Sequence, residues 1–195
     1  MSMDSPAPAA RLLLGPIVGH TDHHSARIWI RVKGDPSSYY LRVTGHGVFR
    51  FNSTEAPSKP EFGTAIAVAS GLRPDWKYRY QVLRNGRVVA RSRGAFRTMP
   101  LPGSQADVLF VSLSCSHREE PGAWQLLDSY VKKAAPRFLL MLGDQVYLDQ
   151  GENVWEKHLD SSPQRRRQAM ADKYQEHWSW EPIRSLMANT PTYMI

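Results

Sequence analysis

The chain has 195 residues, 42% of them hydrophobic, 22% charged and 10% aromatic, and its 25 Lys and Arg against 18 Asp and Glu give a net charge of +7. This composition excludes disordered and collagen-like chains, and the single cysteine, Cys115, excludes an intrachain disulfide. The sequence has no signal-peptide pattern and no run of ~20 apolar residues, so we expect a soluble, cytoplasmic protein with no membrane span.

Two stretches rich in proline and small residues divide the chain. Residues 1–10 predict a disordered tail, and residues 99–106 predict a linker between two unlike parts.

The first part, residues 11–98, contains seven short segments rich in β-branched and aromatic residues. They are Leu12–Val18, Ala26–Val32, Tyr39–Val43, Thr64–Ala69, Lys77–Leu83, Arg87–Arg91 and Ala95–Thr98. Seven short strands separated by turns predict an all-β sandwich.

One segment of the first part is more specific. Leu72, Pro74 and Tyr78 resemble the Leu-x-Pro-x-x-x-Tyr corner of fibronectin type III-like sandwiches, in which the tyrosine hydroxyl anchors the backbone. The sequence therefore predicts a fibronectin III-like domain over residues 11–98. We interpret its aromatic residues as core or corner packing and the domain as a scaffold.

The second part, residues 107–195, changes its pattern. Asp107–Leu113 and Arg137–Leu142 are nearly continuous apolar runs, and Gly122–Ala134 between them carries apolar residues on one helical face. These segments predict a β-α-β unit with two parallel strands. The sequence then predicts two helices and the start of another strand: one helix after Ser161 or Ser162, one over Glu181–Ala188, and the strand at Thr192–Ile195.

Polar residues follow both apolar runs, as Ser114–His117 and as Gly143–Asp149. Because neighbouring parallel strands lie about 4.8 Å apart and end at the same sheet edge, the two segments should be close together. Cys115, Asp144 and Tyr147 would then offer a thiolate, a carboxylate and a phenolate to a metal. Taken singly, each is more often a buried cysteine, a turn residue or a core tyrosine. Their joint placement favours a metal site.

The same residues resemble a known enzyme family. Gly143–Tyr147 is similar to the Gly-Asp-x-x-Tyr block of purple acid phosphatases and of alkaline phosphatase D-like (PhoD-like) metallophosphoesterases. Ser114–Cys115 resembles the Ser-Cys pair that the PhoD-like family has after its first strand. Gly15–Gly19, Ser25–Trp29 and the segment from Tyr174 to Pro191 are also similar to blocks of that family, so the resemblance spans nearly the whole chain.

The resemblance implies that residues 107–195 are the N-terminal part of an α/β metallophosphoesterase domain, and that the protein is a metal-dependent phosphoric ester hydrolase. It implies that Cys115, Asp144 and Tyr147 are metal ligands, with Asp144 bridging two metals. Iron(III) and calcium, or another divalent metal, would be the cofactors, and a phosphate mono- or diester the substrate. His117 is a candidate for substrate binding.

Two further blocks of the family are absent from this sequence. An Asp-Asp-His-Glu segment and a distal histidine-bearing loop, which supply the remaining ligands and the leaving-group acid, do not occur. We therefore expect an incomplete form of the enzyme, inactive alone, whose partner would be the missing C-terminal half of the catalytic domain.

Two other function classes stay open. A fibronectin III-like sandwich can be a binding module without catalysis, although such a module has no use for the Ser-Cys and Gly-Asp-x-x-Tyr blocks. The positive charge suits a polyanion, but Arg165–Arg167 lack the interleaved aromatics of a nucleic-acid surface, so nucleic acid is the less favoured partner. The cluster of His20, Asp22, His23 and His24 predicts adventitious metal binding at most.

Overall fold

The computed structural model describes residues 11–55, 63–118, 121–151 and 153–195, and the predicted tail, residues 1–10, lies outside the described residues. The first half of the chain is a β-sandwich. Its antiparallel strands are β1 (Leu12–Thr21), β2 (Ala26–Val32), β3 (Tyr39–Thr44), β4 (Val48–Glu55), β5 (Thr64–Ala69), β6 (Lys77–Arg84) and β7 (Arg87–Arg97).

The seven strands are hydrogen-bonded in the order β1-β2-β5-β4-β3-β6-β7. β4 joins the two layers, because Val48–Asn52 of this strand pairs with β3, whereas Ser53–Glu55 pairs with β5. Alternate residues of the strands, such as Ile28 and Ile30 of β2 and Tyr80 of β6, are buried in one core between the layers. The period-two pattern of the sequence thus places one face of each strand inside.

The strand prediction is wrong in two places. The sequence prediction omits β4, although its residues alternate between apolar and polar from Phe49 to Asn52. The predicted strands Arg87–Arg91 and Ala95–Thr98 are one strand, β7. Arg91 adopts a left-handed φ of 56° inside β7, and the register against β6 shifts in the same stretch. This irregularity breaks the alternation on which the prediction depended.

The predicted tyrosine corner is present. The Tyr78 hydroxyl accepts a hydrogen bond of 2.7 Å from the backbone N–H of Arg73 and lies 2.6 Å from Nδ1 of His46. The Tyr78 side chain is fully buried and stacks on Phe96. The corner therefore fixes the turn that precedes β6.

The second half of the chain alternates strands and helices. Its elements are β8 (Phe110–Leu113), α1 (Pro121–Ala134), β9 (Phe138–Met141), α2 (Val154–Lys157), α3 (Pro163–Trp178), α4 (Glu181–Asn189) and β10 (Thr192–Met194). The three strands form a parallel sheet in the order β8-β9-β10. The predicted β-α-β unit is confirmed, but its strands are shorter than the apolar runs. Residues 107–109 and Leu142 lie outside the strands, whose pairing covers only four residues each.

The two halves share an interface. Ile17 of β1 belongs to the core that also contains Trp124 of α1 and Ile183 of α4. The Tyr80 hydroxyl donates a buried hydrogen bond of 2.7 Å to the backbone carbonyl of Ala188 in α4. Residues 99–106 between the halves contain no helix or strand. No helix among the described residues is long and apolar enough to cross a bilayer.

Candidate metal centre

The loops that follow β8 and β9 are tied together by their backbones. Ser116 N–H donates to the carbonyl of Asp144 over 2.9 Å, and Gly143, with φ of 118°, allows the sharp turn after β9. Cys115 and Asp144 have left-handed φ values of 58° and 51°. Non-glycine residues rarely adopt this conformation, and it is concentrated at functional sites. Both residues are therefore held in unusual backbone conformations at the carboxyl edge of the sheet.

The structure brings the side chains of Cys115, Asp144 and Tyr147 together. The Cys115 thiol donates to Asp144 Oδ2 over 3.6 Å, and the Tyr147 hydroxyl donates to the same oxygen over 3.4 Å. Cys115 and Asp144 are exposed, and Tyr147 is half-buried. One carboxylate oxygen thus faces a sulfur and a phenol oxygen at the surface of the molecule.

The surroundings of Tyr147 disfavour its ionised form. The pKa of Tyr147 is raised to about 12, mainly by its hydrogen bond to Cys115, then by partial desolvation and by the charges of Cys115 and Asp144. A cation among the three groups would reverse these effects and favour the phenolate. Phenolate and thiolate suit a polarising transition metal, and carboxylate also suits a hard ion such as calcium. The donor set therefore fits the metals that the sequence resemblance implies.

His117 lies beside these three residues. Its ring packs edge-on against Tyr147, with 5.4 Å between the ring centroids, and its backbone carbonyl accepts a 2.7 Å hydrogen bond from Trp124 Nε1 of α1. The imidazole is half-buried. Its position is close enough to the cluster for the predicted contact with substrate, which stays a prediction.

The histidine cluster of the sandwich has a different character. Asp22, His23 and His24 offer ligand atoms within 4.8 Å of one another in the turn between β1 and β2. The Asp22 carboxylate already accepts hydrogen bonds from His24 N–H, Ser25 N–H and the Ser25 hydroxyl, each 2.7 Å long. These bonds outweigh a desolvation effect in the other direction and lower the pKa of Asp22 to about 2. The turn therefore engages both oxygens of this carboxylate.

A cavity of about 1030 Å³ lies next to the candidate metal centre and shares Tyr147 with it. α3 forms one wall of this cavity with Lys173 and His177, and Arg118 from the loop after β8 forms another. No sequence motif predicts Arg118, Lys173 or His177 as part of the site. Their spacing along the sequence matches no motif, because they meet only through the packing of α3 against that loop.

A family described as a domain of unknown function, DUF7800, matches residues 9–101. No curated protein sequence matches the chain. The solved structure of PhoD is similar to 98% of this chain, with a TM-score of 0.71 and 18% sequence identity. The fold is PhoD-like. The chain spans 40% of the length of PhoD.

Two smaller solved structures are similar to part of the chain. The sensor domain of the anti-sigma factor RsgI4 in Pseudobacteroides cellulosolvens aligns over 50% of this chain and 100% of its own length, with 20% identity and a TM-score of 0.35. The fn3 domain of human contactin 1 aligns over 55% of this chain and 90% of its own length, with 16% identity and a TM-score of 0.35.

Proposed function

We propose that this chain contributes to a metal-dependent phosphoesterase and that Cys115, Asp144 and Tyr147 hold its metal. The observation that carries the proposal is the convergence of a thiol, a carboxylate and a phenol on one oxygen, Asp144 Oδ2, at the carboxyl edge of a parallel sheet. Open α/β folds bind their ligands at this edge. The PhoD-like fold supports the same reading, since PhoD has a similar arrangement of elements over 98% of this chain.

Each residue would have a distinct part in holding the metal. Cys115 and Tyr147 would coordinate as thiolate and phenolate, which favours iron(III), and Asp144 has two carboxylate oxygens with which to bridge to a second ion, calcium or another divalent metal. When bound, such ions lower the pKa of a water and polarise phosphoryl oxygens. Because Cys115 and Tyr147 must lose protons to coordinate, metal affinity should increase with pH.

The number of donors limits what the chain does by itself. Three side chains are fewer than two metal ions need, since calcium alone takes six to eight oxygen ligands. We propose that the remaining ligands come from the C-terminal half of a catalytic domain, which is consistent with the 40% of PhoD that the chain spans. The 195-residue chain should therefore bind metal weakly and hydrolyse no ester.

The metal can be tested by visible absorption. Addition of iron(III) to the chain should produce a phenolate-to-iron charge-transfer band, which Tyr147→Phe should abolish. Tyr130→Phe is the matched control, because Tyr130 is 49% exposed on α1 and contributes no ligand. A band of unchanged intensity in Tyr147→Phe would remove Tyr147 from the coordination sphere.

The activity can be tested with bis(p-nitrophenyl) phosphate and p-nitrophenyl phosphate. The chain with iron(III) and calcium added should give background hydrolysis. A form extended by the remaining half of the domain should turn over, and Asp144→Asn should abolish that turnover because an amide does not bridge two cations as a carboxylate does. Metal-dependent turnover by the 195-residue chain, lost in Asp144→Asn, would show that these donors suffice.

A further inference from the structure

The cavity next to the candidate metal centre is lined by polar and charged groups. α3 turns one face toward it, with Lys173, Glu176 and His177 at positions three and four residues apart. Arg118, five residues beyond the end of β8, also lines the cavity, and Tyr147 connects the cavity to the candidate metal centre. A ligand in the cavity would therefore be in reach of both α3 and the metal ligands.

Two cations of the cavity share one carboxylate. Arg118 contacts Glu176 over 2.8 Å, and Lys173 Nζ lies 3.8 Å from the other oxygen of the same Glu176. Lys173 Nζ also donates to the carbonyl of Gln150 over 2.6 Å, and its side chain is only 13% exposed. One negative charge does not balance two positive ones, so this group carries a net positive charge. The contacts fix both cations in place while leaving N–H donors of Arg118 for a ligand.

His177 provides the second observation. Its side chain is 5% exposed and lines the cavity, yet its Nε2 has no hydrogen-bond partner among the residues that the structure describes. Buried polar atoms are nearly always hydrogen-bonded, so this nitrogen lacks a partner that a bound group or an ordered water would supply.

The electrostatics of His177 agree with an anionic ligand. Burial, followed by the positive charge of Arg118, lowers the pKa of His177 to about 4. The imidazole is therefore neutral near pH 7 and, with its proton on Nε2, can donate one hydrogen bond. The cation that disfavours the protonated imidazole also attracts an anion to the same place.

We propose that Arg118, Lys173 and His177 form a subsite that binds the phosphoryl group of a phosphate ester beside the metal centre. The inference rests on the proposed function, because the metal chemistry makes a phosphate ester the anion of interest. The subsite itself needs no metal, so its existence can be tested independently of the metal centre. Free phosphate, the product of a monoesterase, would present the same oxygens.

The experiment uses the 195-residue chain treated with a chelator and follows the binding of phenyl phosphate and of inorganic phosphate by calorimetry. Arg118→Gln and Lys173→Gln should each weaken the binding of phenyl phosphate about tenfold to a hundredfold, which corresponds to a hydrogen bond to a charged group. Arg167→Gln is the matched control. It removes the same charge from α3, but Arg167 is exposed and does not line this cavity.

His177 is tested by two substitutions and by NMR. His177→Leu should weaken the binding of phenyl phosphate about tenfold, whereas His177→Gln, whose amide N–H replaces Nε2–H, should restore most of it. In the unsubstituted chain the Nε2 resonance of His177 should shift on addition of phenyl phosphate. This measurement stays informative if a variant fails to fold.

The outcomes separate the two proposals. Binding that is lost in Arg118→Gln and kept in Arg167→Gln, without metal, supports the subsite even if iron(III) gives no absorption band. Equal weakening by Arg118→Gln and Arg167→Gln would mean general attraction by positive charge and would overturn the subsite. Failure to bind either anion in a chain that shows the iron band would overturn the subsite and leave the metal centre standing. Binding of inorganic phosphate without phenyl phosphate would also overturn it, because the site would not accept an ester.

Discussion

The sandwich and the α/β part bury their apolar side chains in different ways. The core of the sandwich consists of residues between Leu12 and Phe96 alone. The core of the α/β part includes Ile17 of β1, which belongs to the sandwich. Large apolar side chains of the α/β part are also exposed at its surface: Phe110 is 47% exposed, Leu126 73% and Tyr130 49%. The sandwich core is therefore formed within the sandwich itself, whereas the core of the α/β part depends on the sandwich and its surface presents further apolar area.

The largest expected effect comes from separating the two parts. Residues 11–98 should unfold in one cooperative thermal transition, because their core is internal. Residues 107–195 should show no cooperative transition, because a three-stranded sheet without Ile17 and its neighbours buries too little apolar surface. Circular dichroism during heating measures both. A cooperative transition of residues 107–195 would contradict the comparison.

Gly94 of β7 lies where the two parts are in close contact. A Cβ added there would lie 2.1 Å from the carbonyl oxygen of Ala188 in α4 and 2.4 Å from the Tyr80 hydroxyl. Gly94→Ala should therefore lower the free energy of unfolding by about 3 kcal/mol or more, since backbone must move to accept the methyl group.

Gly122→Ala in α1 serves as its control. A Cβ at Gly122 meets no atom within 4 Å, so this substitution should leave stability unchanged or raise it by up to about 1 kcal/mol through helix propensity. Urea denaturation measures both variants. Equal effects of Gly94→Ala and Gly122→Ala would show that α4 does not press on β7.

Two tyrosines of β6 distinguish a bond between the parts from a bond within the sandwich. Tyr80→Phe removes the buried hydrogen bond to Ala188, and Tyr78→Phe removes the bond to Arg73 N–H. In the whole chain each substitution should lower the free energy of unfolding by about 1–2 kcal/mol. In a fragment of residues 11–98, Tyr78→Phe should lower the free energy of unfolding by the same amount as in the whole chain. Tyr80→Phe should leave it unchanged there, because Ala188 is absent. Urea denaturation of the whole chain and of residues 11–98 measures these differences. An equal loss of unfolding free energy in both for Tyr80→Phe would show that the bond to Ala188 does not stabilise the contact between the parts.

The smallest effect concerns the ion pair between Asp75 of the sandwich and Arg137 before β9. Partial desolvation raises the pKa of Asp75, but hydrogen bonding and charge attraction from Arg137 and Arg97 outweigh it and leave this pKa below its ordinary value. A lowered pKa in the folded state contributes stability above the unfolded pKa of about 3.9, and that contribution is lost as the pH falls through the folded pKa.

Asp75→Asn should therefore lower the free energy of unfolding by about 1 kcal/mol or less at pH 7, as expected of a partly exposed ion pair. The cost should decline steadily once the pH falls below about 4. Urea denaturation of the variant and the unsubstituted chain over a pH series measures it. A cost independent of pH would indicate that the carboxylate charge is not what Arg137 requires.

Local sequence patterns predicted most of the fold because burial of one strand face or one helix face repeats with a fixed period. They failed at β4 and β7. The β7 pattern is broken by the left-handed Arg91, and the β4 pattern is short because this strand changes partner from β3 to β5 after Asn52. Both failures occur where long-range pairing, rather than local alternation, decides the backbone path.

The candidate site was likewise predictable from the sequence only in part. The sequence alone determined that Cys115, Asp144 and Tyr147 would meet, because the ends of neighbouring parallel strands share an edge whatever packs around them. Only the tertiary structure decided that Arg118 would face α3, since Arg118 and Glu176 are 58 residues apart and no periodicity relates them. It likewise decided that His177, near the end of a strongly polar helix, would be buried against the cavity. Periodic patterns encode which face of an element is inside, whereas the packing of one element on another depends on side-chain shapes that no local window contains.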